Sequence, residues 1–317
     1  MENVIVHERP TARKKSAGKR LALILKKYWQ LYAMFLLPFL FFLLFKYVPM
    51  YGILMAFKDY NIFLSIWECD WIGFAAFQEA FAMDDFYLAL RNTFFLNLLD
   101  MAVSFPAPIL LAILLNEIKS KWLKKTSQTI LYLPHFFSWV IISGMCFQIF
   151  ATKGIVNNLL ASMGMERVEF LSTNVSWVIM YIIVGVWQSA GWGTIVYLAA
   201  LTGINGELYE AAYVDGANLF QRIWHITLPG IKPTIVILLI MQLGKIPEIG
   251  FERPFTMGNI MVNEVSDVLS TFVYRVGIQS GQFSLATAVG LFQSVVGISF
   301  LIISNYIAKM LGEEGIL

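Results

Sequence analysis

The sequence predicts an all-α membrane protein with six transmembrane helices, and three observations support this fold class. Of the 317 residues, 58% are hydrophobic and 14% are charged, whereas soluble domains carry about 25% charged residues. Six segments are apolar over the length of roughly 20 residues that a membrane helix needs. Lysine and arginine are concentrated in segments that the positive-inside rule assigns to the cytoplasm.

The limits of the six predicted spans follow the distribution of apolar residues. The spans cover residues 30–56, 92–115, 128–150, 175–201, 233–249 and 284–308. Lys245, Pro247 and Glu248 interrupt the end of the fifth. The first is not predicted to be a cleaved signal peptide, because no short apolar core with a small-residue cleavage site follows the basic start.

Lysine and arginine orient the chain. Residues 1–27 contain eight of them, and residues 119–125 contain four lysines. The segment between spans one and two instead carries six acidic residues against Lys58 and, at the edge of span two, Arg91. The positive-inside rule therefore places the N-terminus and the second connection in the cytoplasm. With six spans, the C-terminus and residues 202–232 are cytoplasmic as well. The basic tail could also attract anionic lipid headgroups, but topology explains it more economically.

The predicted cytoplasmic loop 202–232 has a helical pattern of its own. Gly216 is placed where a left-handed residue would end a first short helix, and Asn218 can cap a second one. Pro229 and Pro233 are predicted to interrupt the chain before span five. The pattern fits either an ordinary connecting loop or a segment with a specific partner. In the first helix one face is small and mostly apolar, because its residues recur at the helical spacing i, i+3, i+4 and i+7: Leu208, Ala211, Ala212 and Asp215.

The same loop resembles the EAA loop of binding-protein-dependent ABC importer permeases. In that family the loop is a coupling helix that docks into a cleft on the ATPase subunit. Small alanine side chains would let two backbones approach closely, and the Glu210 carboxylate could pair with a base on the partner. The resemblance assigns the ATPase-coupling role to Glu210, Ala211, Ala212, Asp215, Gly216, Ala217, Ile226, Leu228 and Pro229.

Other stretches resemble the maltose-type sugar permeases, especially the branch that imports complex oligosaccharides and polysaccharide fragments. They are FKYVPMYGILMAFKDYN (45–61), LYLPHFFSWVI (131–141), and TFVYRVG (271–277) through TAVGLFQSVVG (287–297). The resemblance runs from about residue 30 to the C-terminus. It implies the type I ABC importer permease fold. A basic tail over 1–28 would precede a six-helix domain over 29–317, with its core at about 88–308.

The resemblance also implies an assembly in the bacterial cytoplasmic membrane. A second, homologous permease would complete the translocation path, and two ATPase subunits would use ATP and Mg. An extracytoplasmic solute-binding protein would deliver a carbohydrate. The chain would be a multi-pass protein in contact with membrane lipid, with both termini in the cytoplasm and no nucleic-acid partner.

The sequence offers no catalytic constellation, so a non-catalytic subunit is predicted. His7, His135 and His225 lack metal-ligand spacing, and Cys69 and Cys146 lie far apart in the chain. The chain has no Gly-x-x-x-x-Gly-Lys-Ser/Thr phosphate loop and no Gly-x-Ser-x-Gly nucleophile elbow. We therefore expect no catalytic residue, no metal and no cofactor on this chain, and we expect ATP hydrolysis by a separate subunit.

Polar residues within the spans are candidates for the substrate path, because such groups are costly in lipid. Asp100 could face a transport cavity or pair with another helix, and a packing role is favoured. Gln188 lies between two tryptophans in VWQSAGWG (186–193), and amides beside aromatic rings suit a sugar. The same stretch could instead form a close helix interface based on Gly and Ser. The full candidate set is Trp187, Gln188, Trp192, Gln242, Gln293 and Asp100.

Three other classes of membrane protein lack their expected signals. A secondary transporter would show inverted repeats and broken helices with charge pairs at the midplane, and no clear repeat is found. An ion channel would need a filter sequence or charged rings, and a structural anchor would not need the Glu-Ala-Ala loop. We therefore predict an ATP-driven carbohydrate importer that works by alternating access. An ABC permease for a non-sugar solute is the alternative, followed by a secondary transporter.

Overall fold

A computed structural model describes residues 17–310, with side chains from residue 26 onward. Most of the predicted basic tail, 1–28, and residues 311–317 therefore lie outside the described residues. Within the described part the chain is helical, and its β-type pairing is limited to an isolated bridge between Lys58 and Trp71. The predicted all-α class is confirmed.

The chain divides into two compact units after Leu54. The first unit contains α1, Ala17–Phe42, which continues into a π-helical turn, Leu43–Tyr47, and the start of a 3-10 helix, Val48–Phe57. Helical structure therefore extends into the segment predicted as a tail. The backbone departs from helical geometry at Tyr28, with φ −116° and ψ 22°.

The second unit contains the remaining helices, which are numbered in chain order. They are α2 (Ala75–Ala82), α3 (Asp84–Ser104), α4 (Pro106–Glu117), α5 (Lys121–Tyr132), α6 (Trp139–Phe150), α7 (Ile155–Ser162), α8 (Asn174–Thr202), α9 (Gly206–Val214), α10 (Leu219–Arg222), α11 (Leu228–Gly244), α12 (Glu252–Met257), α13 (Asn263–Ser266), α14 (Leu269–Tyr274) and α15 (Phe283–Met310). Short 3-10 turns lie at Leu133–Phe136 and Ile260–Val262, and π-helical turns lie at Ile223–Thr227 and Arg275–Gln279.

Six helical stretches in the described chain are long and apolar enough to cross a membrane, in agreement with the six predicted spans. They are Lys26–Phe57, Asp84–Glu117, Trp139–Ser162, Asn174–Thr202, Leu219–Leu243 and Phe283–Met310. The first, second, fourth and sixth lie where they are predicted and extend further than predicted. The second begins early at Asp84 and Asp85, whose carboxylates are favourable in the first turn of a helix.

The third predicted span, residues 128–150, is a broken helix, and the apolar stretch long enough to cross the membrane is displaced toward the C-terminus, at Trp139–Ser162. Its first part belongs to α5 and its second part to α6, and residues 133–138 separate the two. Leu131 near the end of α5 lies directly against Gly191, where a Cβ would overlap the Leu131 carbonyl. Because Gly191 lies well inside the 29-residue helix α8, the break in the third span lies within the bundle.

The fifth predicted span, residues 233–249, is displaced toward the N-terminus, since α11 ends before Lys245. The prediction that Pro229 and Pro233 interrupt the chain before this span is wrong. Pro229 lies in the first turn of α11 and Pro233 lies inside the helix. The first turn tolerates proline because its N–H groups have no partner within the helix. The π-helical turn Ile223–Thr227 joins α10 to α11 without a break.

The helix α8 lies at the centre of the second unit and packs against α3, α4, α5 and α11. One apolar cluster joins it to α3 and α6 around the fully buried Trp177 and Tyr181. A second cluster, which includes Tyr197 and Ile231, joins it to α4 and α11. These contacts hold α8 toward both of its ends, and the candidate site described next is built around this helix.

Candidate functional site

The predicted coupling segment is a helix, a glycine turn and a second helix, as expected. Ala217 N donates to Ala212 O (2.9 Å) and Gly216 N donates to Tyr213 O (3.1 Å). These are the two bonds of a Schellman helix end. Gly216 has a φ of +78°, and a Cβ at this position would meet no neighbouring atom. Glycine is therefore required here by the left-handed backbone conformation and not by lack of space.

Side-chain bonds fix the geometry on either side of the glycine turn. Asn218 N donates to Gln221 Oε1 (2.8 Å), and Gln221 N donates to Asn218 Oδ1 (2.9 Å). This reciprocal capping box begins α10, as the sequence predicts for Asn218. The hydroxyls of Tyr209 and Thr227 lie 2.9 Å apart. Because Thr227 directly precedes α11, this contact connects α9 to the start of α11.

Five of the nine motif residues line a shallow depression of about 300 Å³ on this surface. Glu210 and Ala211 lie beside it on the exposed face of α9, in which no residue is buried. Leu228 and Pro229 lie outside it, in the first turn of α11. The depression is lined by Ala212, Asp215, Gly216, Ala217 and Ile226, together with Gln221, Arg222 and His225.

A cavity of about 450 Å³ lies between α3, α4, α8 and α11. Two of the predicted path residues, Asp100 and Gln242, meet in its wall. The other polar lining comes from Asn97, Ser104, Lys245 and Glu248, and the apolar lining includes Met101, Phe105, Pro108, Val196, Tyr197 and Met241. The cavity therefore combines hydrogen-bond donors, acceptors and charges with apolar and aromatic surface.

One wall of the cavity is the irregular segment that follows α11. Asn97 Nδ2 donates to Ile246 O (2.6 Å), and Gln293 Nε2 donates to Pro247 O (2.5 Å). Backbone carbonyls outside a helix need such donors within a membrane. Gln293, a predicted path residue, lies outside the cavity and holds this segment in place.

The remaining path candidates are not brought to the cavity. Trp187 and Trp192 are about half exposed, and Gln188 is half-buried on the same helix. Trp192 stacks on His135 with ring centroids 4.6 Å apart and an angle of 6° between the planes. His135 lies in the 3-10 turn at the break in the third span. The stack therefore links the QSAGWG stretch of α8 to this turn.

Arg253 on α12 is a charged residue of the site that sequence analysis does not single out. Its Nη2 lies 3.0 Å from Asp100 Oδ1 and also donates to Tyr181 O. The guanidinium carbon lies 3.6 Å from the centre of the Tyr181 ring and 5.2 Å from that of Trp139. A Cβ at Gly185 would overlap the guanidinium.

Asp100 thus has both roles that the sequence leaves open, since it lines the cavity and pairs with another helix. The exposed fractions of the Arg253 and Asp100 side chains are 13% and 22%, so the pair is largely shielded from solvent. Asp100 also lies near the middle of the second span, deeper than two turns from its start. The only signal for Arg253 in the sequence is that it closely follows Lys245 and Glu248, the charged residues that interrupt the end of the fifth predicted span.

Comparisons with known proteins agree with this architecture. Residues 91–312 match the family described as "Binding-protein-dependent transport system inner membrane component". Protein LplB of Bacillus subtilis (strain 168) is 44% identical over 304 residues, which cover 95% of this chain and 96% of LplB. The polygalacturonan/rhamnogalacturonan transport system permease protein YteP of the same organism is 45% identical over 304 residues, which cover 96% and 95%.

Two solved structures are also similar. One is a bacterial ABC transporter involved in the import of the acidic polysaccharide alginate. Its matching chain is 42% identical with a TM-score of 0.83, and the match covers 92% of this chain and 99% of that one. The other is a bacterial alginate ABC transporter in complex with an alginate pentasaccharide-bound periplasmic protein. The match has 41% identity and a TM-score of 0.84 and covers 94% and 100%. These similarities extend over nearly the whole chain.

Proposed function

Because this chain belongs to the binding-protein-dependent transport system inner membrane component family, we propose that it carries an oligosaccharide or polysaccharide fragment across the membrane. The chain has the predicted fold of an ABC importer permease. One observation carries the cargo assignment. Over more than nine tenths of its length the chain is similar to proteins described by polygalacturonan, rhamnogalacturonan and alginate transport.

The cavity between α3, α4, α8 and α11 has the chemistry that a sugar passage needs. Hydroxyl groups require both donors and acceptors, and the Gln242 amide supplies both. Lys245 and Glu248 add one charge of each sign, and Phe105 and Tyr197 supply aromatic surface. We place the cargo-contacting part of the path at this cavity.

A single chain of this size forms one side of the path in the mechanism we propose. A second, homologous permease forms the other side. An extracytoplasmic solute-binding protein delivers the cargo, and two ATPase subunits use ATP and Mg. Both termini lie in the cytoplasm of a bacterial cell, which places residues 202–232 on the ATPase side of the membrane.

The coupling segment is proposed to pass ATPase movement to the spans. Glu210 offers an exposed carboxylate, and the small side chains of Ala211 and Ala212 allow a partner to approach closely. The Tyr209–Thr227 contact connects this surface to the start of α11. The far end of α11 leads into the cavity at Lys245. A displacement of α9 would therefore reach the cavity through one continuous helix.

Uptake by reconstituted vesicles tests the function. Vesicles with the complete transporter should take up labelled oligosaccharide only when the solute-binding protein is outside and ATP is inside. A panel of acidic and neutral oligosaccharides then identifies the cargo class. Uptake of an amino acid or a metal ion in place of every sugar would contradict the carbohydrate assignment. Uptake driven by an ion gradient without ATP would instead indicate a secondary transporter.

Replacing Gln242 tests whether the cavity is the passage. We expect Gln242→Leu to reduce uptake by about twofold to twelvefold, because one lost hydrogen bond is worth about 0.5–1.5 kcal/mol. The matched control is Gln188→Leu, since Gln188 is also half-buried in a span but does not line the cavity. Equal uptake by the two variants would contradict the assignment of the path to this cavity.

A further inference from the structure

The loop of residues 58–71 is closed at its base and held close to the sixth span. Lys58 and Trp71 form an antiparallel bridge, and Asp59 N donates to Asp70 O at 2.9 Å. Tyr60 N donates to Ser284 Oγ (2.9 Å), and Ser284 Oγ donates to Lys58 O (2.7 Å). The base of the loop is thus fixed to the second residue of α15.

The tip of this loop exposes large apolar side chains. Phe63 is 90% exposed and Trp67 is 71% exposed, and Ile62 and Leu64 are exposed beside them. No charged residue occurs from Tyr60 through Trp67, whereas Asp59, Glu68 and Asp70 lie at the base. A rim of acidic residues around an uncharged aromatic tip indicates an interaction surface and not a solvated loop.

The tip is held in shape by its own hydrogen bonds. Asn61 Oδ1 accepts from Phe63 N and Asn61 O accepts from Leu64 N, both at 3.0 Å. Ser65 N donates to Glu68 Oε2 (3.0 Å), and the Cys69 thiol donates to Ser65 O (3.4 Å). The aromatic side chains are therefore presented outward by a defined turn.

The attachment to α15 places the loop at the level of the lipid headgroups. α15 has 28 residues, so it is about 42 Å long at 1.5 Å per residue. A bilayer is about 40–45 Å thick when the headgroup layers are included. Ser284 at the start of α15 therefore lies in a headgroup layer, and the loop fixed to it begins at that depth.

We propose that the tip of the 58–71 loop inserts into the headgroup region of the bilayer and contacts lipid. Tryptophan and phenylalanine favour this boundary, where an apolar ring is covered while the neighbouring backbone remains hydrated. The acidic residues at the base would stay in water. The inference depends on the membrane location of the chain and not on its cargo.

Nitroxide labelling of the protein in lipid nanodiscs tests the proposal. Cys69 and Cys146 are first replaced by Ser, and a label is attached at Phe63→Cys. Collisions with oxygen, which concentrates in lipid, are compared with collisions with a water-soluble nickel chelate. We expect an oxygen-to-nickel ratio several-fold higher than at the matched position Asp70→Cys, which is exposed at the base of the same loop.

The other outcomes would overturn the proposal. Equal ratios at the two positions would show that the tip lies in water. Low accessibility to both reagents at position 63 would show that protein covers the tip, as a sister permease would. A label that loses accessibility to both reagents only when loaded solute-binding protein is added would identify a docking surface for that protein. We expect the oxygen accessibility of the label at position 63 to stay unchanged when loaded solute-binding protein is added.

Discussion

Gly216→Val is expected to reduce uptake and binding-protein-stimulated ATP hydrolysis together by about tenfold, because a shift of about 1.4 kcal/mol in a conformational equilibrium has this effect. Gly216 has a φ of +78° at the end of α9. A side chain in the left-handed region costs about 1–2 kcal/mol, and a β-branched one is less tolerated still. The Schellman end would open and tilt α9 with Glu210, while the six spans keep their packing.

Gly206→Val is the matched control for this prediction. Gly206 lies at the start of the same helix, is exposed, and like Gly216 has no atom near the position of a Cβ. Its φ lies outside the left-handed region, so valine is tolerated there. ATPase rate, uptake and co-purification of the ATPase would be measured for both variants. Full stimulation and full uptake by Gly216→Val would exclude residues 202–232 as the coupling element.

Glu210→Lys tests the same surface through charge. If the carboxylate of Glu210 faces a base on the ATPase, reversal of its charge places two cations together and should reduce ATPase co-purification. Because α9 has no buried residue, we expect insertion and folding to remain normal. Wild-type co-purification and uptake by this variant would show that Glu210 does not contact the partner.

Asp100→Ala is expected to destabilise the chain by about 3–5 kcal/mol, because removal of one partner leaves the other as an unpaired buried charge. Arg253 would keep its contacts with Tyr181 but lose its 3.0 Å partner. The thermal midpoint of the purified protein should fall by roughly 5–10 °C. The double variant Asp100→Ala with Arg253→Met should recover much of this loss, since no buried charge remains.

Asp85→Ala provides the control for this ion pair. Asp85 lies 3.5 Å from Arg275, and its side chain is 70% exposed, so its removal should cost at most about 1 kcal/mol. Equal midpoints for Asp100→Ala and Asp85→Ala would contradict the burial argument. A double variant no more stable than Asp100→Ala would show that Asp100 acts through other contacts. A loss of uptake by the stable double variant would place the charge pair in the transport mechanism.

Several features could be predicted from local sequence because they depend on local chemistry. The six spans follow from long apolar runs. Gly216 and Asn218 are recognisable because a left-handed helix end and a capping box each need particular residues within a few positions. The resemblance of residues 210–229 to the coupling loop uses the same short-range information.

The two errors concern breaks within helices, whereas the omission of Arg253 concerns a contact between residues distant in the chain. Pro229 and Pro233 are predicted to break the helix, but Pro229 lies in the first turn of α11, where proline is tolerated, and the helix continues through Pro233. The break in the third span lies at residues 133–138, where Pro134 lies at the start of a 3-10 turn and the Ser138 side chain caps α6. The pairing of Arg253 with Asp100, by contrast, leaves no pattern within either segment.

The sequence by itself determined the class of the protein, the number of its spans and the position of the glycine turn, because hydrophobic length and backbone preference are properties of contiguous residues. Only the tertiary structure decided which polar residues share a site. It joined Asp100 to Arg253, which is 153 positions away, placed Gln242 in the cavity, and left Gln188 outside it. Those outcomes depend on how the helices pack, since the charge and hydrogen-bonding needs of a buried residue can be met from any part of the chain.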